Sequence, residues 1–320
     1  MPDVIAVDLG GTNIRAARVD SDGKILARDK VPTNAKDGMA SVVQRISELV
    51  VKLKTPQTSS VGVGTPGVPD PQTGIIRLPA VNIPGSMSFP LSTEIQRLTG
   101  LKVIADNDGN LAALGEAWKG AGVGEPVVAI FTLGTGVGGG LVIDGKVYHG
   151  HHNLVAEFGH VSIDCNGRPC GCGNKGCVER YASASALGRD AREALLTHPD
   201  AKSSLLMKLC GGNPEKAEAR LVCDAAREND PLATQLLDQC CLWLSSGMGS
   251  VINTLNPSCV VVGGGMALAG ELVLSRLRKH LDDGRAFGPI WKDCKLKQAV
   301  LGDDAGLLGA ARKAFQSLGA

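Results

Sequence analysis

An α/β fold of two lobes is predicted for this chain by three observations. Apolar runs that read as buried strands alternate with segments of helical periodicity. Three of those runs end in glycine turns, Asp8-Leu9-Gly10-Gly11-Thr12, Thr132-Leu133-Gly134-Thr135-Gly136 and Gly263-Gly264-Gly265. The first two turns open the same larger unit: strand, glycine turn, strand, Asp/Gly hairpin. One copy runs from Val4-Ile5-Ala6-Val7 to Asp20-Ser21-Asp22-Gly23-Lys24, the other from Val128-Ala129-Ile130-Phe131 to Asp144-Gly145-Lys146. A single such turn is an ordinary hairpin. A duplicated pair with Asp or Thr beside the glycines points to phosphate, since N–H groups unshielded by Cβ atoms can approach an anion closely. A carboxylate or hydroxyl next to the turn can hold the accompanying metal.

The elements follow in order. Strands are expected over 3–8, 13–20 and 24–31, then a helix over 41–53 whose apolar face is Val42, Ile46, Leu49, Val50 and Leu53. A strand at 61–64 ends in Thr65-Pro66-Gly67, and the Pro- and Gly-rich segment 70–89 reads as a loop lining a site. A helix over 91–98 and a strand over 101–105 lead into Asp106-Asn107-Asp108, after which Asn110 is the expected N-cap of a helix over 111–119 that stops at Gly120. The second unit begins near Pro126. The pattern is helical from 182 to about 248, 259–262 is the last clear strand, and 306–318 is a closing helix.

Length and composition agree with this frame. The chain has 320 residues, 43% of them hydrophobic, enough for one large or two medium cores. Lys plus Arg number 33 against 32 Asp plus Glu, so no long-range field draws nucleic acid or an anionic membrane. An anionic ligand has to be held locally. No basic start precedes an apolar signal stretch, and no apolar run reaches membrane-spanning length, so a soluble, cytoplasmic protein is expected.

Of ten cysteines, Cys170, Cys172 and Cys177 share one glycine-rich loop, ten residues after His160. Three thiolates and an imidazole make a closed tetrahedral zinc site. A disulfide is the alternative, disfavoured in a cytoplasmic chain with seven other cysteines. Cys165 lies close enough to compete, whereas Cys210, Cys223, Cys240, Cys241, Cys259 and Cys294 read as small core residues. Glu157 and Glu179 flank the loop, so an ion that fixes it fixes two carboxylates able to accept sugar hydroxyls. His149, His151 and His152 read as loop histidines.

Taken together, these residues resemble the ROK family (repressors, open reading frames and sugar kinases). The resemblance runs over nearly the whole chain. It rests on Asp8-Leu9-Gly10-Gly11-Thr12 with Arg15, Thr65-Pro66-Gly67, Asn82, Asn107-Asp108-Gly109-Asn110 and Ala113-Leu114-Gly115-Glu116, followed by Leu133 through Gly138. It continues through Glu157-Phe158-Gly159-His160, the cysteine loop closing on Glu179, Gly263-Gly264-Gly265, and Gly302-Asp303-Asp304-Ala305-Gly306. The order of these motifs and the His-plus-cysteine loop are specific; no single one is. One departure is Ser86, which follows Pro84-Gly85 where family members often carry tryptophan.

The resemblance implies the actin-like, ribonuclease-H-like ATPase fold with an interlobe cleft. Residues 1–118 would form the smaller lobe, with a helix over about 304–320 returning to it, and 119–303 the larger lobe with the zinc loop. It implies transfer of the ATP γ-phosphoryl group to a hexose, with the glucose 6-hydroxyl as the expected acceptor and N-acetylmannosamine, N-acetylglucosamine, mannose or fructose as alternatives. A sugar hydroxyl needs a carboxylate to accept its proton. Strand periodicity alone does not choose between Asp106 and Asp108; the family pattern chooses Asp108. Asp8 would hold Mg2+, Gly10, Gly11 and Thr12 would contact the phosphates from one lobe, and Gly134, Thr135 and Gly136 from the other. Gly264 and Gly265 would admit the adenosine. Gly67, Asn82, Asn107, Glu157, His160 and Glu179 would bind the sugar, His160 also joining Cys170, Cys172 and Cys177 on structural zinc. A homodimer is implied as well. A DNA-binding repressor, also found in the family, is disfavoured because only seven residues precede Asp8.

Overall fold

The computed structural model describes Pro2 to Gly319. The chain divides into two compact units. The first comprises the residues up to Pro126, Gly140–Val155 and the residues from Val300 onward; the second comprises Val127–Gly139 and Ala156–Ala299. This division differs from the expected one in grouping 119–126, 140–155 and 300–303 with the first unit. No helix among the described residues is long and apolar enough to cross a membrane.

The first unit is built on a sheet of order β3-β2-β1-β4-β7. Its strands are β1 (Asp3–Leu9), β2 (Asn13–Asp20), β3 (Ile25–Pro32), β4 (Thr58–Thr65) and β7 (Lys102–Asn107). β1 is buried along its whole length, which is why it reads as an unbroken apolar run. β1, β4 and β7 are parallel, and their register sets Asp8 opposite Gly64 and Gly64 opposite Asp106. Two acids thus stand in one row at the carboxyl ends of parallel strands. Helix α1 (Met39–Leu53) buries Val42, Ile46, Leu49 and Val50 in the core, as its periodicity predicts. The segment after β4 is less irregular than its composition suggests: it holds a hairpin of β5 (Val68–Pro69) and β6 (Ile76–Leu78), then α2 (Leu91–Thr99).

Helices α3 (Asp108–Lys119) and α11 (Ala305–Gln316) pack on each other, and α11 lies on β1 and β4. The approach is close enough to demand glycine. A Cβ on Gly62 would come within 1.9 Å of the Ala310 carbonyl, and one on Gly309 within 1.7 Å of the Leu111 carbonyl. Glu116 of α3, 1% exposed, holds the segment that leads into α11 by accepting the N–H groups of Val300 and Leu301 at 3.0 and 2.9 Å.

The second strand–turn–strand unit consists of β8 (Val127–Leu133), β9 (Val137–Ile143) and β10 (Lys146–Val147). Asp144 and Gly145 both have positive φ, the backbone that a two-residue hairpin requires. The sheet of the second unit continues from β9 and β8 to β11 (Cys259–Gly263) and β12 (Lys295–Gln298), with β8, β11 and β12 parallel. β12 was not expected, because Lys295-Leu296-Lys297-Gln298 has the charge of an edge strand and little apolar signal. The helical stretch holds α4 (Glu179–Ala182), α5 (Ala184–Thr197), α6 (Leu205–Leu209), α7 (Ala219–Arg227) and α8 (Pro231–Leu255). α9 (Glu271–His280) and α10 (Gly288–Asp293) precede β12. α8 runs seven residues past the expected end at 248, and Asp230 caps it by accepting the Ala233 N–H at 2.8 Å.

Candidate active site

The turn from β7 to α3 carries the two candidate bases, and it is tighter than the sequence reading has it. Asn107, not Asn110, is the N-cap: its Oδ1 accepts the N–H groups of Gly109 and Asn110 at 2.9 and 3.3 Å. Asp108 is therefore the first residue of the helix rather than the end of a strand. Asp106 is 3% exposed and fully engaged. Its Oδ1 accepts the Asn107 N–H at 2.8 Å and Asn110 Nδ2 at 3.1 Å; its Oδ2 faces His149 Nε2 at 2.7 Å and Lys313 Nζ at 2.8 Å. Burial pushes its carboxyl up, but the His149 hydrogen bond and the Lys313 charge outweigh that and hold it at about 2. An ionised carboxylate only accepts, so His149 Nε2 carries the hydrogen. His149 is thus a half-buried partner of Asp106 and not a free loop histidine.

Asp108 has the opposite surroundings. It is exposed, and its carboxylate accepts the Gly109 N–H at 2.8 Å and a hydrogen bond from the Asn107 side chain. Crowding by protein raises its carboxyl above the ordinary aspartate value, and the negative charge of Asp8 adds to the rise. An open carboxylate with raised basicity is suited to take a proton.

Asp8 is buried at the end of β1, and Arg15 on β2 binds its Oδ2 through Nε at 3.1 Å while also facing Asp303 at 3.6 Å. The turn that follows is braced from beneath by Thr33, whose N–H donates to the Thr12 carbonyl at 2.8 Å and whose hydroxyl donates to the Gly10 carbonyl at 2.6 Å. Gly11 and Thr12 stay exposed, and nothing lies within 4 Å of the Cβ position at Gly11. Thr33 escaped the sequence reading because its role comes from the β2–β3 pairing.

The loop expected to bind sugar meets the β7–α3 turn at Gly67. Gly67 has φ 125°, and a Cβ there would strike the Leu78 carbonyl at 2.8 Å. Its carbonyl accepts Asn107 Nδ2 at 3.0 Å. Asn107 therefore spends its oxygen on the cap and its amide on the Gly67 carbonyl and the Asp108 carboxylate. Asn82 is exposed in the loop. Ser86 turns inward, 2% exposed, and donates to the Ala80 carbonyl at 3.2 Å, closing the loop on itself where a larger side chain would not fit.

In the second unit, Gly134, Thr135 and Gly136 form the other turn. The Gly134 carbonyl accepts the Ala184 N–H at 2.8 Å, which attaches the turn to the start of α5, where Ser183 is the N-cap. Glu179 is closer to this turn than expected: its Oε2 accepts the Val137 N–H at 3.1 Å and would lie 2.2 Å from a Cβ on Gly136. A cavity of about 750 Å³ opens beside Gly134 and Thr135, with Gly188 of α5, Asp224 of α7, and Gly265 and Met266 on its walls. Gly264 owes its place to φ 83° and to the Leu133 carbonyl, 2.5 Å from any Cβ there; at Gly265 a Cβ would meet nothing within 4 Å. Helix α7 was not foreseen as a wall. Its one hint was an unusually strong separation of polar and small residues, and that pattern says only which face is inward.

The ligand atoms of His160, Cys170, Cys172 and Cys177 all lie within 4.8 Å of one another. Cys170 Sγ is 3.7 Å from His160 Nδ1, and Cys172 Sγ is 3.7 Å from Cys177 Sγ. Ligand bonds of about 2.3 Å directed to the corners of a tetrahedron separate two sulfurs by roughly 3.8 Å, so the spacing suits zinc. Burial and the neighbouring thiols push Cys177 up to about 12, so a bound cation is what would make it a thiolate at neutral pH. Cys165 is exposed and outside the cluster; the other six cysteines are buried. Glu157, three residues before His160, is exposed.

Residues 4–316 match the model of the ROK family. The chain is 38% identical over 309 residues to a glucokinase of Thermotoga maritima, covering 96% of both chains. It is 36% identical over 312 residues to a glucokinase of Halalkalibacterium halodurans, covering 95% of this chain and 92% of the other. The solved structure of a ROK family glucokinase from Streptomyces griseus, in complex with glucose and AMPPNP, aligns with a TM-score of 0.79 at 36% identity over 98% of this chain and 99% of that one.

Proposed function

The chain belongs to the ROK family, and from that premise we propose that it transfers the γ-phosphoryl group of ATP to the 6-hydroxyl of glucose. The observation that carries the chemistry is the open Asp108 carboxylate, raised in basicity, beside an Asp106 whose every oxygen is engaged. Asp108 accepts the hydroxyl proton as the new bond to phosphorus forms, worth about 10² to 10⁴ in rate. Asn107, together with Asn82, Gly67, Glu157, His160 and Glu179, orients the sugar. The glycine turns at Gly10 to Thr12 and Gly134 to Gly136 hold the phosphates, and the cavity beside Gly265 accepts the nucleoside. Asp8 would hold Mg2+, which when bound neutralises charge on the transferred group. Zinc at His160, Cys170, Cys172 and Cys177 would hold the loop between Glu157 and Glu179, with His160 Nε2 left free to donate to a sugar oxygen. A homodimer, implied by the family resemblance, is testable by sedimentation.

A coupled assay with ATP and a panel of hexoses tests the reading. Glucose should give the highest kcat/KM. An N-acetylated hexose winning by tenfold would reject the acceptor, and turnover on none of them would reject the function.

A further inference from the structure

We propose that His149 and Lys313 are positioning residues for the transfer reaction: acting together on one oxygen of Asp106, they fix the turn that presents Asp108. The kinetic consequence rests on the proposed reaction; the hold on the turn does not.

The Asp106 carboxylate is the junction. His149 Nε2 and Lys313 Nζ converge on its Oδ2 at 2.7 and 2.8 Å, standing 3.4 Å from each other. Oδ1 is thereby turned toward α3, where it accepts the Asn107 N–H at 2.8 Å and Asn110 Nδ2 at 3.1 Å. Those two residues bracket Asp108. Asn107 passes the constraint on, since its own Oδ1 caps the helix and its amide binds the Gly67 carbonyl at 3.0 Å. A carboxylate gripped by donors on both oxygens cannot rotate without breaking bonds on each side, so the pair on Oδ2 decides where Oδ1 points.

The two residues reach Asp106 from separate parts of the first unit. His149 lies two residues past β10, and Lys313 stands in the last turn of α11. The side chains of His149, Lys313 and Asp106 are 18%, 15% and 4% exposed, so water screens these contacts little. The His149 hydrogen bond and the Lys313 charge also keep Asp106 ionised against its burial. Four donors need a group that only accepts, which is the ionised form. The route from either residue to the base runs through Asp106 and the backbone of the turn. Asp108 is the first residue of α3, so that backbone sets where its carboxylate meets a hydroxyl, and a misplacement of about 1 Å can cost about 10² in rate.

A double-mutant cycle on kcat tests the pair. His149 carries the cycle, because its removal leaves Asp106 paired with Lys313. His149→Ala should lower kcat about fivefold with the KM for ATP unchanged, and His149→Gln, which keeps an N–H donor, should restore at least half of the loss. In an Asp106→Asn background, where an amide nitrogen replaces the accepting oxygen, His149→Ala should have less than about twofold further effect. Amide hydrogen exchange in the unliganded enzyme reads the turn without turnover. Exchange at Asn107, Gly109 and Asn110 should quicken about fivefold in both His149→Ala and Lys313→Met, beyond any change at the buried amides of β1. Unchanged kcat in His149→Ala, the whole loss persisting in the Asp106→Asn background, or turn amides that exchange no faster would overturn the assignment. If the protein phosphorylated no hexose, the exchange rates would still decide whether the pair holds the turn.

Discussion

Asp106 and Asp108 lie two residues apart on one turn, and their surroundings drive them in opposite directions. The first is sealed among His149, Lys313, Asn107 and Asn110 and held at about 2; the second faces solvent, takes hydrogen bonds from Gly109 N–H and Asn107, and is still raised by crowding and by Asp8. Paired acids whose environments separate their basicities mark a division of labour. One acid maintains the turn, and the other is free to act. The difference comes from where the strand stops: Asn107 caps α3, so Asp108 leaves the strand periodicity that would have pointed it alongside Asp106.

Exchanging the acids one at a time breaks the comparison most sharply. Asp108→Asn should lower kcat by about 10³, roughly 4 kcal/mol of transition-state stabilisation, with the melting temperature little changed. Asp106→Asn should do the reverse, leaving Lys313 without its carboxylate and costing about 3 kcal/mol of stability in chemical denaturation, while folded enzyme keeps turnover within about tenfold. Similar losses of both kinds in both variants would dissolve the distinction.

Acid titration gives a somewhat smaller effect. The folded-state value of Asp106 lies below the ordinary 3.8, at about 2, so its contribution is present above pH 4 and is lost as the pH falls toward 2. That contribution is about 2 kcal/mol. The acid limb of the stability curve should flatten in Asp106→Asn and not in Asp108→Asn. Removing zinc by chelation should raise the glucose KM about tenfold or unfold the loop; unchanged kinetics in a demonstrably metal-free sample would refute the role given to His160. The mildest change is Gly136→Ala, whose Cβ meets only the end of the Glu179 side chain. It should raise the KM for ATP by roughly threefold.

The sequence made the five strands of the first unit's main sheet legible because each is either an apolar run or an alternating one that ends in a turn residue, whereas the β5–β6 hairpin was hidden in a Pro- and Gly-rich loop. That His160 and the three cysteines come together was legible because glycine-spaced cysteines have few other uses. The cap at Asn107 was not, since Asn107 and Asn110 are equally good capping residues and only the backbone chooses between them. Nor was the Asp106 cluster, whose partners His149 and Lys313 come from 43 and 207 positions away (149 − 106 and 313 − 106) and carry no local pattern. β12 and the α7 wall were hidden for the same reason: their places depend on what they pair with.

The central claim is that Asp108 accepts the proton while the sugar remains bound, and quench-flow measurement of a single turnover tests it most directly. With glucose saturating and its Kd measured on the same preparation, phosphoryl transfer in Asp108→Asn should slow by about 10³ while the Kd stays within about threefold. Transfer as fast as in the unaltered enzyme, with only product release slowed, would contradict the account.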